Sequence, residues 1–114
     1  MTVTIYHNPR CSKSRETLAL LRARGLDLKV VEYLQTPPDA ATLRRLAKML
    51  GGEFAQMVRT SERAFKTEKL TGESDSEALI AAILRHPILL QRPIVVADGK
   101  AAIGRPPEAV LAIL

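Results

Sequence analysis

The organisation of this chain follows from residues 4–17, which read Thr4-Ile-Tyr-His-Asn-Pro-Arg-Cys-Ser-Lys-Ser-Arg-Glu-Thr17. They include Cys11, the only cysteine among 114 residues. Residues 3–6 are rich in β-prone side chains and predict a short strand. From Thr17 onward apolar side chains recur at helical spacing, and Gly25 marks the end of that helix. Cys11 therefore lies where a strand ends and a helix begins.

The position of Cys11 favours its ionised form. Asn8 is a good N-cap residue and Pro9 suits a first helical position, so we expect the helix to begin between Asn8 and Ser12. A cysteine there faces unpaired backbone N–H groups and the positive end of the helix dipole. Because this effect supplies roughly one pKa unit, full ionisation also needs a nearby guanidinium or imidazolium. The alternative is a cysteine that packs as a small core hydrophobe.

The following residues alternate strand and helix patterns. Residues 28–33 are rich in β-branched side chains and predict a second strand, parallel to the first because a helix connects them. A helix begins near residues 36–38 and ends at Gly51-Gly52. A short helix then carries Arg59 near its end, and the polar residues 60–74 predict a loop or lid.

The C-terminal third of the chain predicts a helix, a hairpin and a final helix. The capping-box spacing of residues 74–77 begins the first of these. Asp98-Gly99 is a hairpin signal within the β-prone segment 94–103, and the last helix begins at Pro106 or Pro107. We expect a single α/β domain over residues 1–114, with a helical insertion at about residues 38–87. Its architecture is a thioredoxin-like sandwich, a mixed four-stranded sheet flanked by helices.

The charge of the chain bears on its partners. There are 17 Lys and Arg residues against 12 Asp and Glu, a formal net charge of +5. Such a charge would suit nucleic acid, but aromatic residues make up only 4% of the chain and no nucleic-acid-binding motif occurs. We therefore expect no nucleic-acid partner and assign part of the charge to arginines that hold a small oxyanion.

The cysteine and histidine content limits which disulfides and metal sites the chain can form. One cysteine excludes an intramolecular disulfide and a thiolate-cluster metal site, and two scattered histidines make no metal-ligand pattern. The N-terminus has no basic-then-apolar signal pattern, and no apolar run is as long as a membrane span. We expect a cytoplasmic monomer without membrane contact and without a bound cofactor or metal.

Four segments, taken in order, resemble the glutaredoxin- and glutathione-dependent arsenate reductase family. They are 7–15 (His-Asn-Pro-Arg-Cys-Ser-Lys-Ser-Arg), 86–89 (His-Pro-Ile-Leu), 92–96 (Arg-Pro-Ile-Val-Val) and 104–108 (Gly-Arg-Pro-Pro-Glu). The similarity runs over essentially the whole chain, and the ordered set is specific to this family and its near relatives.

The resemblance implies an oxidoreductase and names its catalytic residues. In the family, the cysteine at the position of Cys11 attacks arsenate and forms a covalent arseno-cysteine intermediate. Glutathione then adds, glutaredoxin resolves the mixed species, and arsenite leaves. The family arginines that surround the oxyanion match Arg59, Arg92 and Arg105. Guanidinium groups suit that task because they are planar, bidentate and permanently charged.

Three further residues are expected to support the site. The resemblance implies a cis peptide bond before Pro93, opposite the active cysteine, against the alternative of an ordinary trans proline. It also implies that His7 helps to ionise Cys11 as an imidazolium, against the alternative of a structural hydrogen bond. Ser14, one helical turn from Cys11, is expected either to donate a hydrogen bond to the sulfur or to be an exposed helix serine.

Two rival functions stay open. A glutathione-dependent thiol reductase of the same fold would act on mixed disulfides. A Spx-like regulator would bind RNA polymerase and sense oxidants through Cys-x-x-Cys, but Ser14 stands at the second position here, so no disulfide can form within this loop. Longer arsenate reductases carry a charged C-terminal extension beyond the position of Leu114. The expected nucleophile and arginines do not depend on that extension.

Overall fold

A computed structural model describes residues 2–52 and 54–114. Its contacts group the chain into two compact units: the first joins Met1–Thr36 to Arg92–Leu114, and the second is Pro37–Gln91. The bounds of the second unit lie near those expected for the helical insertion. The single-domain organisation stays a prediction.

The first unit contains a four-stranded mixed sheet in the order β2-β1-β3-β4. Its strands are β1 (Thr2–His7), β2 (Asp27–Glu32), β3 (Ile94–Ala97) and β4 (Lys100–Ile103). β1 and β2 are parallel, and β3 is antiparallel to both β1 and β4. The predicted strands and their directions are therefore confirmed.

Local chemistry explains how these strands are connected. Helix α1 (Ser12–Ala23) joins β1 to β2, which suits a crossover between parallel strands. Two residues after the helix ends, the chain turns at Gly25, whose φ of +66° is left-handed and costs a glycine little. In the β3–β4 hairpin, Asp98 and Gly99 have φ values of 51° and 73°, as a type I′ turn requires.

The core of the first unit lies between α1 and one face of the sheet. Alternate residues of β1 point into it, so Val3 and Ile5 are fully buried while their neighbours are not. The buried side chains of this core are Val3, Ile5, Leu18, Leu21, Val95, Ala97 and Val110. This packing holds the end of β1 and the start of α1, between which Cys11 lies.

The second unit is helical. It contains α2 (Ala40–Met49), α3 (Arg63–Thr67), α4 (Ser76–Arg85) and two 3₁₀ segments, Phe54–Met57 and Pro87–Leu89. Asp39 and Asp75 begin α2 and α4 by accepting hydrogen bonds from the backbone N–H groups of Thr42 and Ala78.

Three details of the sequence interpretation are corrected. The polar segment 60–74 is not entirely loop, because it contains α3, a single short helix. Asp75, and not Ser74 of the capping-box pattern, is the N-cap of α4. The final helix is a 3₁₀ segment, Pro107–Ile113.

Gly104 is packed too closely to carry a side chain. A Cβ atom there would lie 2.5 Å from Thr17 Oγ1 and 2.7 Å from Pro93 Cγ. The backbone N–H of Gly104 also donates to the carbonyl of Pro93 at 3.0 Å. The residue therefore sets the spacing between α1 and the segment that begins β3.

We expect Gly104→Ala to lower the free energy of unfolding by about 1–3 kcal/mol, because the added methyl group overlaps two packed atoms. Urea denaturation would measure it. Gly72→Ala is the matched control, since a Cβ at exposed Gly72 meets no atom within 4 Å. Equal midpoints for the two variants would contradict the close packing at Gly104.

Candidate active site

Cys11 is the N-cap residue of α1, with extended backbone angles of φ −97° and ψ 123°. The Cys11 side chain makes no capping hydrogen bond that meets normal distance and angle limits. The backbone N–H of Ser14 nevertheless faces the sulfur and lowers the pKa of Cys11. Cys11 is partly exposed. It is therefore neither an inert core residue nor a fully solvated one, which agrees with a reactive thiol.

The loop before Cys11 is held by its own hydrogen bonds. The backbone N–H of Cys11 donates to the carbonyl of Asn8 at 3.0 Å, and that of Arg10 donates to Asn8 Oδ1 at 2.9 Å. Arg15 Nη1 donates to the carbonyl of Pro9 at 3.0 Å. α1 begins at Ser12, within the range expected from the sequence, and Asn8 stabilises the turn that precedes the N-cap residue Cys11.

His7 and Ser14 form a buried polar pair below the loop. His7 Nδ1 lies 2.6 Å from Ser14 Oγ, and the backbone N–H of Asn8 donates to the same oxygen at 3.0 Å. Ser14 is fully buried, so its hydroxyl hydrogen needs an acceptor. We therefore assign the Ser14 O–H as donor to His7 Nδ1, which leaves the imidazole proton on Nε2.

These contacts correct the expectation for Ser14 and bear on that for His7. Burial lowers the pKa of His7, an effect that Arg22 and Arg15 reinforce and Glu32 opposes, so the site disfavours a charged ring. The observed contact of His7 is a structural hydrogen bond with Ser14, and its role in ionising Cys11 stays a prediction. The Ser14 hydroxyl bonds to His7 and not to Cys11, and Ser14 is not an exposed helix serine.

Two predicted arginines from the far end of the sequence lie at the sulfur. Arg105 Nη2 is 3.4 Å from Cys11 Sγ, and Arg105 Nε donates to the carbonyl of Arg92 at 2.9 Å. The Arg92 side chain also donates a hydrogen bond to the sulfur. The first unit therefore brings Cys11, Arg92 and Arg105 together, a proximity that the family resemblance implied and the residue pattern alone did not.

Opposing effects set the pKa of Cys11. Burial is the largest and would raise it, but the Ser14 N–H, the Arg92 hydrogen bond and the charges of Arg105 and Arg92 together lower the pKa below its usual value. The helix start and the guanidinium groups act in the same direction, as expected.

Pro93 follows a cis peptide bond from Arg92, as the resemblance implied, and a second cis bond joins Arg105 to Pro106. Each of the two site arginines therefore directly precedes a cis proline. The second cis bond had no signal in the sequence that separated it from an ordinary X–Pro bond.

Arg59 belongs to the second unit and is held there by several contacts. Its side chain is 18% exposed, with Nε 3.3 Å from Glu62 Oε1 and Nη1 donating to Gln91 Oε1 at 2.9 Å. Its backbone N–H donates to the carbonyl of Leu89 at 2.7 Å, beside the isolated bridge between Val58 and Leu90. The role of Arg59 as an oxyanion ligand stays a prediction.

The described residues offer neither a metal centre nor a membrane-spanning helix. Among residues 2–52 and 54–114, no three His, Cys, Asp or Glu side chains come together as a metal-binding group. The helices of the described part of the chain are all too short or too polar to span a bilayer.

Among known protein families, the ArsC family matches residues 6–113, a range that includes Cys11, Arg92 and Arg105. The chain belongs to the ArsC family. It is 58% identical over 114 residues to Escherichia coli "Uncharacterized protein YfgD", covering 98% of this chain and 96% of that protein. It is 48% identical over 114 residues to an arsenate reductase of Neisseria meningitidis, covering 98% and 97%.

A solved structure of the family extends the likeness to the fold. The arsenate reductase from Vibrio cholerae has a TM-score of 0.94 and 50% sequence identity, and the match covers 100% of this chain and 98% of that one. The predicted α/β, thioredoxin-like fold is confirmed. The resemblance to arsenate reductases that the four sequence segments carry is confirmed as well.

We expect Arg105→Gln to raise the pKa of Cys11, because it removes a cation 3.4 Å from the sulfur. The pH dependence of alkylation by iodoacetamide would measure this, since only the thiolate reacts. The wild-type midpoint should lie below that of an ordinary thiol and move upward in the variant. Arg24→Gln, at an exposed position of the same chain, is the control. An unmoved midpoint in Arg105→Gln would remove this arginine from thiolate stabilisation.

We expect His7→Ala to destabilise the protein by about 1–3 kcal/mol, because the buried Ser14 hydroxyl loses its acceptor. His7→Asn keeps a polar atom near the position of Nδ1 and should recover part of that loss. Urea denaturation measures both, and alkylation of Cys11 reports the position of the loop. A histidine-dependent inflection in the wild-type alkylation profile, absent from both variants, would show instead that the charge of His7 acts on the sulfur.

Proposed function

We propose that this protein reduces arsenate to arsenite, with Cys11 as nucleophile and with glutathione and glutaredoxin as the source of electrons. The observation that carries the proposal is a cysteine of lowered pKa whose sulfur is contacted by Arg92 and Arg105. Membership of the ArsC family supports it, as do the names of the relatives from Neisseria meningitidis and Vibrio cholerae.

The electrostatics of the site suit an oxyanion. A thiolate and an arsenate dianion repel each other, so the site must neutralise the oxygens before and during attack. Arg92 and Arg105 supply permanent charge and planar donors at the sulfur. The free backbone N–H groups at the start of α1 add partial positive charge on the same side. A plain disulfide substrate has no comparable need for two cations.

The first chemical step joins Cys11 to arsenic. The thiolate attacks, an As–S bond forms, and one As–O bond breaks with the departing oxygen leaving as water after protonation. The guanidinium groups favour this step because negative charge accumulates on the remaining oxygens in the transition state. Arg59 is proposed as a third donor to those oxygens, and Gln91 and Glu62 hold its side chain.

Reduction then needs thiols from outside the chain. Glutathione attacks the arseno-cysteine species, and glutaredoxin completes the transfer, so one arsenate and two external thiols give one arsenite, one disulfide and one water. The arsenic passes from the pentavalent to the trivalent state, and Cys11 is released as a thiol. Because Cys11 is the only cysteine, no internal resolving thiol can replace these partners.

A coupled assay with purified glutathione and glutaredoxin tests the proposal. Arsenate should be turned over, whereas phosphate should not, and thioredoxin should not replace the glutathione system. Cys11→Ser should abolish turnover. Arg92→Lys should lower it by about tenfold, because a point charge replaces a bidentate fork, while the exposed control Arg24→Lys should not.

Three outcomes would contradict the proposal. Full turnover with thioredoxin alone would exclude the glutathione system. Equal rates for Arg92→Lys and the wild type would remove Arg92 from the mechanism. Turnover of a glutathione mixed disulfide without turnover of arsenate would favour the rival thiol reductase.

A further inference from the structure

A cavity of about 240 Å³ opens beside the loop that carries Cys11. It lies at the carboxyl ends of β1 and β2, where His7 and Glu32 are the last residues of their strands and register partners. Ligands of open α/β sheets commonly bind outside the carboxyl ends of the strands. The remaining wall consists of residues 8–10, Leu34 and Gln35.

The wall of this cavity is preformed. The loop 8–11 is held by the hydrogen bonds within it and by the Ser14 hydroxyl, which accepts from the backbone N–H of Asn8. On the other side, the carbonyl of Glu32 accepts from the backbone N–H groups of Gln35 and Thr36, both at 2.9 Å, and closes a tight turn after β2. A preformed site loses little entropy when it binds a small ligand.

The cavity presents charges of both signs. Arg10 and Glu32 line it, and within the described part of the chain neither side chain makes a hydrogen bond or ion pair. His7 also lines it and is only 6% exposed; its Nδ1 is taken by Ser14, which leaves Nε2–H as its unused donor. Two donors suited to a carboxylate thus share one cavity with a carboxylate suited to an ammonium group.

We propose that this cavity binds the γ-glutamyl headgroup of glutathione, with its α-carboxylate toward Arg10 and His7 and its α-ammonium toward Glu32. The inference rests on the proposed function, in which glutathione attacks the arseno-cysteine species. It adds a location for the co-substrate. The charges match because the headgroup carries one carboxylate and one ammonium on the same carbon.

The dimensions of the cavity and of glutathione are compatible. Seven covalent bonds separate the headgroup carbon of glutathione from its sulfur, a reach of roughly 7–9 Å when extended. Pro9, in the cavity wall, is two residues from Cys11, and two residues span at most roughly 7 Å. The methylene groups of the headgroup can lie against Pro9 and Leu34, of which Leu34 is 42% exposed.

Binding of S-methylglutathione tests the location without any turnover. Titrated into ¹⁵N-labelled protein, it should shift the amide signals of Asn8, Arg10 and Gln35. Arg10→Gln and Glu32→Gln should each raise the dissociation constant about three- to fivefold, as expected for exposed charge pairs. The controls Arg24→Gln and Glu73→Gln, at exposed positions outside the cavity wall, should leave it unchanged.

An analogue of glutathione sharpens the assignment of each charge. Glutaryl-cysteinylglycine lacks only the ammonium group, so Glu32→Gln should not weaken binding of its S-methyl form, whereas Arg10→Gln should. Shifts confined to other parts of the sheet, or equal losses for both ligands in Glu32→Gln, would overturn the proposal.

Kinetics separate this proposal from the proposed function. In the coupled assay, Arg10→Gln and Glu32→Gln should raise the KM for glutathione several-fold while the KM for arsenate and kcat stay at wild-type values. A rise in the arsenate KM with no change for glutathione would overturn the glutathione site. Absence of arsenate turnover in the wild type would overturn the proposed function, while the S-methylglutathione titration would still decide the site.

Discussion

The stabilisation of one sulfur anion is the constraint on which this structure depends. Cys11 sits at the first turn of α1, partly withdrawn from water, and that burial alone would favour the neutral thiol. The N–H of Ser14 and the guanidinium groups of Arg92 and Arg105 more than offset it. Residues far apart in the sequence therefore meet at one point of the first unit and together lower the pKa of Cys11.

Much of the surrounding structure holds these groups in place. His7 bonds to the Ser14 hydroxyl, which also accepts from the backbone N–H of Asn8, so the loop and the first turn of α1 form one connected network. Across the sheet, Gly104 lets Pro93 approach α1 closely, and Arg105 Nε bonds to the Arg92 carbonyl. A reactive thiol needs this rigidity. A displacement of the sulfur by about 1 Å from its partner groups weakens both the stabilisation of the thiolate and its attack on the substrate.

The proposed chemistry and the proposed glutathione site share one origin. A chain with a single cysteine can bind an oxyanion covalently but cannot complete a two-electron reduction alone. The external thiol must therefore approach the same loop that positions the nucleophile. The cavity at the ends of β1 and β2 borders that loop, and the side chains of its Arg10 and Glu32 make no hydrogen bond or ion pair within the described residues.

The sequence by itself determined the local elements and the identity of the nucleophile. Alternation in β1, the Asp98-Gly99 turn and Gly25 each act over a few residues, and a cysteine between a strand and a helix start is a local pattern too. Motif order pointed to Arg92 and Arg105. Only the tertiary structure decided that their guanidinium groups reach Cys11, that the Ser14 hydroxyl bonds to His7, and that burial lowers the pKa of His7. Those outcomes depend on burial and on contacts across the sheet, neither of which is encoded in the spacing of neighbouring residues.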